Sequence, residues 1–197
     1  MTELHSESPL AQIETPQGLA VTVREITSRG MIDLRGNDPA FLAAVSETLG
    51  ISLPQAPRSS ISWGDIKILW LSTDQWLILC PHAKVAELLA RLKAALAQIH
   101  SLAVDVSDMR AVIRIEGEGS REVLLKGTSL DLLGPDYPQG AVRRARFAEI
   151  GALLHIVEDN VIDLYVFRSY ARYAWEFLLA AAREPAKIRL FGKQAAT

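Results

Sequence analysis

Met109-Arg110-Ala111-Val112-Ile113-Arg114-Ile115-Glu116-Gly117-Glu118-Gly119-Ser120-Arg121-Glu122-Val123-Leu124 is the stretch on which the reading of this chain turns. Met109–Ile115 is β-branched and apolar enough for a strand, Glu116-Gly117 stops it, and Ser120 stands where a helix N-cap belongs. Val123 and Leu124 then begin an apolar helix face, and Gly127 ends that helix. The same order occurs in the first half of the chain. Met31–Leu34 ends in Arg35-Gly36, Asp38 is the N-cap and Pro39 suits the first helical position. Phe41, Leu42, Val45 and Leu49 follow at helical spacing, and Gly50 supplies the stop.

Outward from these two segments the order continues in parallel. In the first half, Ala20–Ile26 reads as a strand and residues 52–60, with Pro54 and Pro57, as a loop. Strands Asp65–Leu71 and Gln75–Cys80 flank Ser72-Thr73-Asp74, and a helix fills Ala83–Ile99 with Val85, Leu88, Leu89, Leu92 and Leu96 on one stripe. In the second half a loop carries Gly134, Pro135, Pro138 and Gly140, and Val142–Ala148 is a strand. Ala152–Val157 pairs with Val161–Phe167 across Glu158-Asp159-Asn160, and the last helix, Ser169–Ala182, places Tyr170, Ala174, Phe177, Leu178 and Ala181 on one face. Trp76–Cys80 corresponds to Asp163–Phe167. The fold class is therefore α+β: two pseudo-repeated β-α-β-β-α halves, 80–87 residues apart, with antiparallel sheets and helices packed on one face. Chance recurrence of a common arrangement is the competing explanation. The expected organisation is a flexible N-terminal arm over residues 1–17, in which Leu10 and Ile13 are free to dock, halves over 18–103 and 104–185, and a tail over 186–197.

With 197 residues, 49% of them hydrophobic, the chain is long enough to bury a core and too apolar to be disordered. A formal charge of −2 argues against binding a nucleic-acid backbone, which calls for a basic surplus. The polar, acidic start has no signal-like pattern, and no apolar run approaches the ~18 residues of a membrane span, so a cytoplasmic protein without membrane or nucleic-acid partners is expected.

The chemistry-bearing residues are sparse. The nearest approach to a dinucleotide fingerprint is Gly117-Glu118-Gly119, with Glu122 where a third glycine belongs; a carboxylate there would crowd the turn and repel a pyrophosphate. The histidines His5, His82, His100 and His155 have no metal-ligand spacing, and His155, mid-strand, reads as a sheet-surface residue. The single cysteine, Cys80, reads as a small buried hydrophobe, and Asp105, Asp108 and Asp159 as turn and cap residues. No catalytic or metal site is expected, and no cofactor bound by this chain. Two basic groups stand out. Arg144 and Arg146 share one face of a strand, beside Arg143, and Arg168, Tyr170, Arg172, Tyr173 and Trp175 cluster at the start of the last helix as an expected partner interface.

Asp105-Val106-Ser107-Asp108-Met109-Arg110, Ile115-Glu116-Gly117, Leu124-Leu125-Lys126-Gly127 and Leu130-Asp131-Leu132 together resemble the gamma subunit of heterotetrameric sarcosine oxidase. Ala145-Arg146-Phe147-Ala148, Leu153-Leu154, Val166-Phe167-Arg168-Ser169-Tyr170-Ala171-Arg172 and Trp175-Glu176-Phe177-Leu178 continue the same order; Thr128-Ser129 departs from it, standing where a Cys-Pro pair is expected. The resemblance covers residues 20–182 and is strongest over 104–182. It implies a fold like the folate-binding domain of aminomethyltransferase, and a non-catalytic subunit of a complex that oxidatively demethylates sarcosine to glycine. That reaction yields hydrogen peroxide and, with tetrahydrofolate, methylenetetrahydrofolate. FAD, FMN, NAD and tetrahydrofolate are implied for the partner subunits, and the alpha subunit, and through it beta and delta, for the contacts of this chain. The alternative is a stand-alone folate-binding or one-carbon-transfer protein, with Arg144, Arg146 or Arg168 holding a folate carboxylate. A homo-oligomeric scaffold is the third possibility.

Overall fold

The computed structural model describes residues 7–11 and 13–183. Two five-stranded antiparallel sheets stand face to face, each with its helices on the outside. The first half contains β1 (Thr22–Glu25), β2 (Arg29–Arg35), α1 (Pro39–Leu49), β3 (Ser60–Trp63), β4 (Ile66–Ser72), β5 (Gln75–Pro81) and α2 (Val85–Ala95). The second contains β6 (Leu102–Asp105), β7 (Arg110–Glu116), α3 (Ser120–Leu125), β8 (Val142–Phe147), β9 (Ile150–Glu158), β10 (Val161–Phe167) and α4 (Ala171–Ala181). Single 3-10 turns, His82–Lys84 and Arg168–Tyr170, lead into α2 and α4.

Sheet order is β3-β4-β5-β2-β6 in one sheet and β8-β9-β10-β7-β1 in the other. The first strand of each half thus completes the sheet of the other: β1 pairs with β7, and β6 with β2. The duplication is internally consistent. Arg29 pairs with Pro81 and Asp33 with Leu77 in the first sheet; at matching places Arg110 pairs with Phe167 and Arg114 with Asp163 in the second. Both β5 and β10 carry five consecutive buried residues. This register matches Leu77 to Asp163, one residue away from the expected pairing of Trp76 with Asp163. Each unit also has two strands more than the β-α-β-β-α reading, because β1 and β6 open the units and β3 and β8 both precede a hairpin. β3 lies at the end of the expected 52–60 loop, and β6 in a stretch assigned to no element.

Three apolar layers hold the four structural layers together. α1 and α2 cover the first sheet over Ile32, Leu34, Phe41, Val45, Trp76, Ile78 and Leu92. α3 and α4 cover the second over Ile113, Val123, Phe147, Ile162, Leu164, Trp175 and Leu178. Between the sheets lie Met31, Leu69, Leu77, Leu79, Val112, Leu153 and Tyr165. Leu10 is buried in the α3–α4 core and Ile13 packs against it, so this part of the expected arm docks. Residues 1–6, which include His5, and the 186–197 tail lie outside the described residues.

Local signals set the helix ends. Asp38 accepts from the Ala40 amide at 2.7 Å, and Gly50 closes α1 at φ 71°, a left-handed conformation that glycine adopts without strain. In α3 the cap is Gly119, not Ser120 as expected; Ser120 is the first helical residue, fully buried, and its hydroxyl makes no bond. Gly127 follows α3 for a packing reason. A Cβ there would come within 2.5 Å of the Phe147 ring. The expected helix Ala83–Ile99 is shorter, ending at Ala95, although Leu96 remains buried.

Candidate functional site

Period-two alternation places Arg29, Lys67, Arg114, His155, Asp163 and Tyr165 on the faces that look at one another between the sheets. Asp163 is fully buried, and Arg114 closes on it with two bonds, Nε to Oδ1 at 2.6 Å and Nη2 to Oδ2 at 3.0 Å. From the facing sheet Arg29 Nη1 donates to Asp163 Oδ2 at 3.2 Å and to the Tyr165 hydroxyl at 2.9 Å. Burial pushes the Asp163 carboxyl up, but the bonds and charge of Arg114, with the charge of Arg29, outweigh it and hold the group below the ordinary carboxylate range. Desolvation raises the Tyr165 hydroxyl and lowers the Lys67 ammonium.

His155 is buried in this layer, correcting the expectation of a sheet-surface residue: both faces of β9 are covered, so a mid-strand position has no solvent side. Its Nε2 lies 3.0 Å from Ser60 Oγ, and that hydroxyl donates to the Gly140 carbonyl at 2.9 Å. The hydroxyl proton being committed, Nε2–H is the donor and Nδ1 carries a buried lone pair with no partner. Burial first, and then the Lys67 charge, push the imidazole down to about 3, so it is neutral.

The two segments that carry the chain from one sheet to the other, residues 26–28 and 106–109, meet beside this layer. They wall a cavity of about 400 Å³ together with Arg29, Arg110 and Arg168. Residues 26–29 also wall a second cavity of about 360 Å³. Ser28 sits at φ 58° where the crossing segment turns. Arg110 is half-buried and lies over the Phe167 ring, 5.6 Å from its centre.

Phe167, Tyr170 and Tyr173 are each 40–46% exposed and, with Arg168 and Arg172, form one surface where β10 runs into α4. Tyr170 belongs to the 3-10 turn and faces outward, not onto the buried face of the last helix as expected. Trp175, expected in the interface, is 3% exposed and part of the α3–α4 core. The helix enters with Ala171 and Ala174 inward, and Trp175 lies on that side. Phe167 was missed in the sequence because it ends an apolar strand, yet it is exposed.

The three candidate folate-binding arginines have separate engagements. Arg144 reaches Gln75 Oε1 in the facing sheet at 2.7 Å, Arg146 bonds the Ala148 carbonyl at 3.0 Å and pairs with Glu149, and Arg168 donates to the Glu7 carbonyl. The Gly117–Glu122 turn does not fit a dinucleotide. A Cβ on Gly119 would come within 3.3 Å of Val21, which packs here just before β1, and α3 beyond the turn has six residues. Among the described residues no three His, Cys, Asp or Glu side chains gather as a metal site, and no helix is long and apolar enough to cross a membrane.

The profile of the sarcosine oxidase, gamma subunit family matches residues 34–184. A sarcosine oxidase subunit gamma from Corynebacterium sp. (strain P-1) is 32% identical over 168 residues, which are 83% of this chain and 81% of that protein. Among solved structures, a chain of the heterotetrameric sarcosine oxidase of Corynebacterium sp. U-96, in complex with pyrrole 2-carboxylate, superposes with a TM-score of 0.83 and 25% identity, covering 92% of this chain and 96% of that one. The aminomethyltransferase T of the glycine cleavage system of Bartonella henselae shares the fold at a TM-score of 0.60 and 13% identity, over 86% of this chain and 50% of that one. Matched over most of its length in both sequence and fold, the chain belongs to the sarcosine oxidase, gamma subunit family.

Proposed function

We propose that this chain is an assembly subunit of a heterotetrameric sarcosine oxidase and has no catalytic centre of its own. In this reading the oxidative demethylation of sarcosine to glycine, with formation of hydrogen peroxide and methylenetetrahydrofolate, takes place on partner subunits that hold FAD, FMN, NAD and tetrahydrofolate. The observation that carries it is the match to a chain of such an oxidase over 92% of this chain and 96% of that one. The polar residues between the sheets fit that role. Charges in this layer are directed at one another, Arg114 from the neighbouring strand and Arg29 from the facing sheet both at Asp163, and such a network organises the fold.

The surface of Phe167, Arg168, Tyr170, Arg172 and Tyr173 is the proposed contact with the alpha subunit. Aromatic and arginine side chains are the residue types that dominate binding at protein interfaces. Apart from the Arg172–Glu176 pair at 2.8 Å, the face presents mainly rings.

Co-expression with the alpha, beta and delta subunits of a heterotetrameric sarcosine oxidase, using a tag on this chain, tests the reading. A yellow complex that oxidises sarcosine is expected, with the chain purified alone being colourless. Recovery of the chain alone, binding tetrahydrofolate saturably, would replace the subunit reading with a stand-alone folate protein.

A further inference from the structure

The duplication makes one residue anomalous. Arg29 and Arg110 occupy matching places at the starts of β2 and β7, each opposite the last residue of its neighbouring strand. Arg29 reaches across the sheets to Asp163, and its charge is neutralised there. By the same registers, the residue of the facing sheet that matches Asp163 is Leu77, and the match of Tyr165 is Leu79. Both leucines are buried. Arg110 therefore has the geometry of an inter-sheet ion pair without the acid. The neighbouring carboxylate, Asp33, is held by the Gln75 amide at 2.8 and 3.0 Å. Among the described residues no hydrogen bond or ion pair reaches the Arg110 side chain, and its Nη1 is buried without a partner. A guanidinium in that condition loses hydration without compensation, and desolvation accordingly lowers its pKa.

Arg110 is also the link between the crossover cavity and the aromatic surface. It lines the 400 Å³ cavity and lies over Phe167. A groove formed by Pro9, Met109, Phe167, Arg168, Ser169 and Tyr170 continues from it, sharing Pro9 and Arg168 with the cavity. We propose that Arg110 is a receptor for one carboxylate side chain, Asp or Glu, of the subunit that docks on the Phe167–Tyr170 surface, and that this inserted acid supplies intermolecularly what Asp163 supplies to Arg29 within the chain. The proposal rests on the subunit reading above.

Charge and shape favour a tethered acid over a free one. Glu7, Glu25 and Asp108 also line the cavity, so a small anion meets repulsion there that offsets the attraction of Arg110 and Arg168, Arg29 being paired with Asp163. A carboxylate carried by a protein arrives with apolar contacts to Met109, Phe167 and Tyr170, and these provide the affinity while the ion pair provides the register. The stacked ring holds the guanidinium plane in place for a two-pronged carboxylate.

The test is Arg110→Met, with Arg110→Lys beside it, in the full chain co-expressed with its large subunits. Two quantities are read: association with the tagged large subunits across a salt series, and the melting temperature of the chain purified alone. For Arg110→Met the expected result is association at least tenfold weaker and less salt-dependent, with the lone chain melting at the same temperature as wild type or higher, because an unpaired buried charge has been removed. Arg110→Lys restores part of the association. A purely structural role would lower both quantities together, and that outcome overturns the proposal. So does association equal to wild type, while a wild-type chain that forms no complex overturns the subunit reading and this inference with it. Benzoate is the probe for a free acid: saturable stabilisation of the lone wild-type chain that Arg110→Met abolishes would assign the position to a small molecule and overturn the protein-borne source.

Discussion

At the scale of single residues, the layer between the sheets contains the groups with most at stake. Asp163 is fully buried between two arginines, so Asp163→Ala leaves Arg29 and Arg114 facing each other across an apolar gap. Breaking a buried pair in this way costs about 3–5 kcal/mol, and urea unfolding at pH 7.5 is expected to show a loss in that range; a loss below about 1 kcal/mol would mean that water replaces the acid. His155 makes a different prediction. It is neutral when folded, with its pKa pushed down to about 3, and ordinary when unfolded, near 6.5. Between those two values the unfolded chain binds the extra proton, so stability falls as pH drops below 6.5, approaching about 1.4 kcal/mol per pH unit. Above 6.5 the group contributes nothing to the slope. Asp163 does not share this window, since a depressed carboxyl loses its stabilising effect only as pH falls below its ordinary value near 3.8. Unfolding free energies at pH 7.5 and 5.0 are therefore expected to differ in the wild type and to converge in His155→Gln; an unchanged difference would assign the acid sensitivity elsewhere.

Among the elements, the approach of α2 to its sheet depends on a missing side chain. A Cβ at Gly30 would lie 2.0 Å from Val85 Cγ2, so Gly30→Ala forces the start of α2 off β2. Overpacking of this kind costs about 1–3 kcal/mol, measurable as a lowered melting temperature, and Val85→Ala in the same chain is expected to recover part of the loss by removing the obstructing methyls. Neither glycine packing nor strand exchange is written in local sequence. α1 was legible because its signals are local: Asp38, Pro39 and Gly50 act on their own backbone. Ser120 carries a similar signal, but burial at 0% exposure removes the advantage of its hydroxyl, and Gly119 takes the cap. β3 and β6 escaped notice because each has four residues, is largely open to solvent, and gains its pairing from a distant strand. His155 was misread because a strand covered on both faces has no polar side for alternation to reveal. The aromatic-arginine surface was partly legible at Arg168, Tyr170, Arg172 and Tyr173, since exposed rings beside arginines advertise themselves. Arg110 did not, because its anomaly is defined by Leu77 on the other sheet.

For the whole molecule, the exchange of first strands decides what counts as a unit. By sequence β1 belongs to the first repeat, yet its pairing with β7 places Val23, with Val21 just before the strand, in the core under α3 and α4. β6 returns the exchange to the first sheet, but less is buried there: Leu102, Val104 and Asp105 are exposed and Ala103 packs at the margin. The two repeats are thus unequally dependent on each other. Burying a Val side chain is worth about 1.5–3 kcal/mol, and Val21 with Val23 therefore accounts for a large part of the 5–15 kcal/mol typical of a whole domain. Splitting the chain in the 106–109 segment is expected to give fragments 1–106 and 107–197 that co-purify as a one-to-one complex with the circular dichroism of the intact chain. Expressed separately, 107–197 should show no cooperative thermal transition, having lost β1, while 1–106, which retains β6, keeps its own sheet complete and loses the facing sheet that covers Met31, Leu69 and Leu79. A peptide spanning residues 19–27 is then expected to restore a transition to 107–197 in a concentration-dependent manner, because it supplies the missing edge strand and both valines. If 107–197 melts cooperatively without that peptide, β1 is an ornament of the second sheet and the two repeats are independent domains; if the peptide acts and a Val23→Asp version does not, the exchange is what binds them into one.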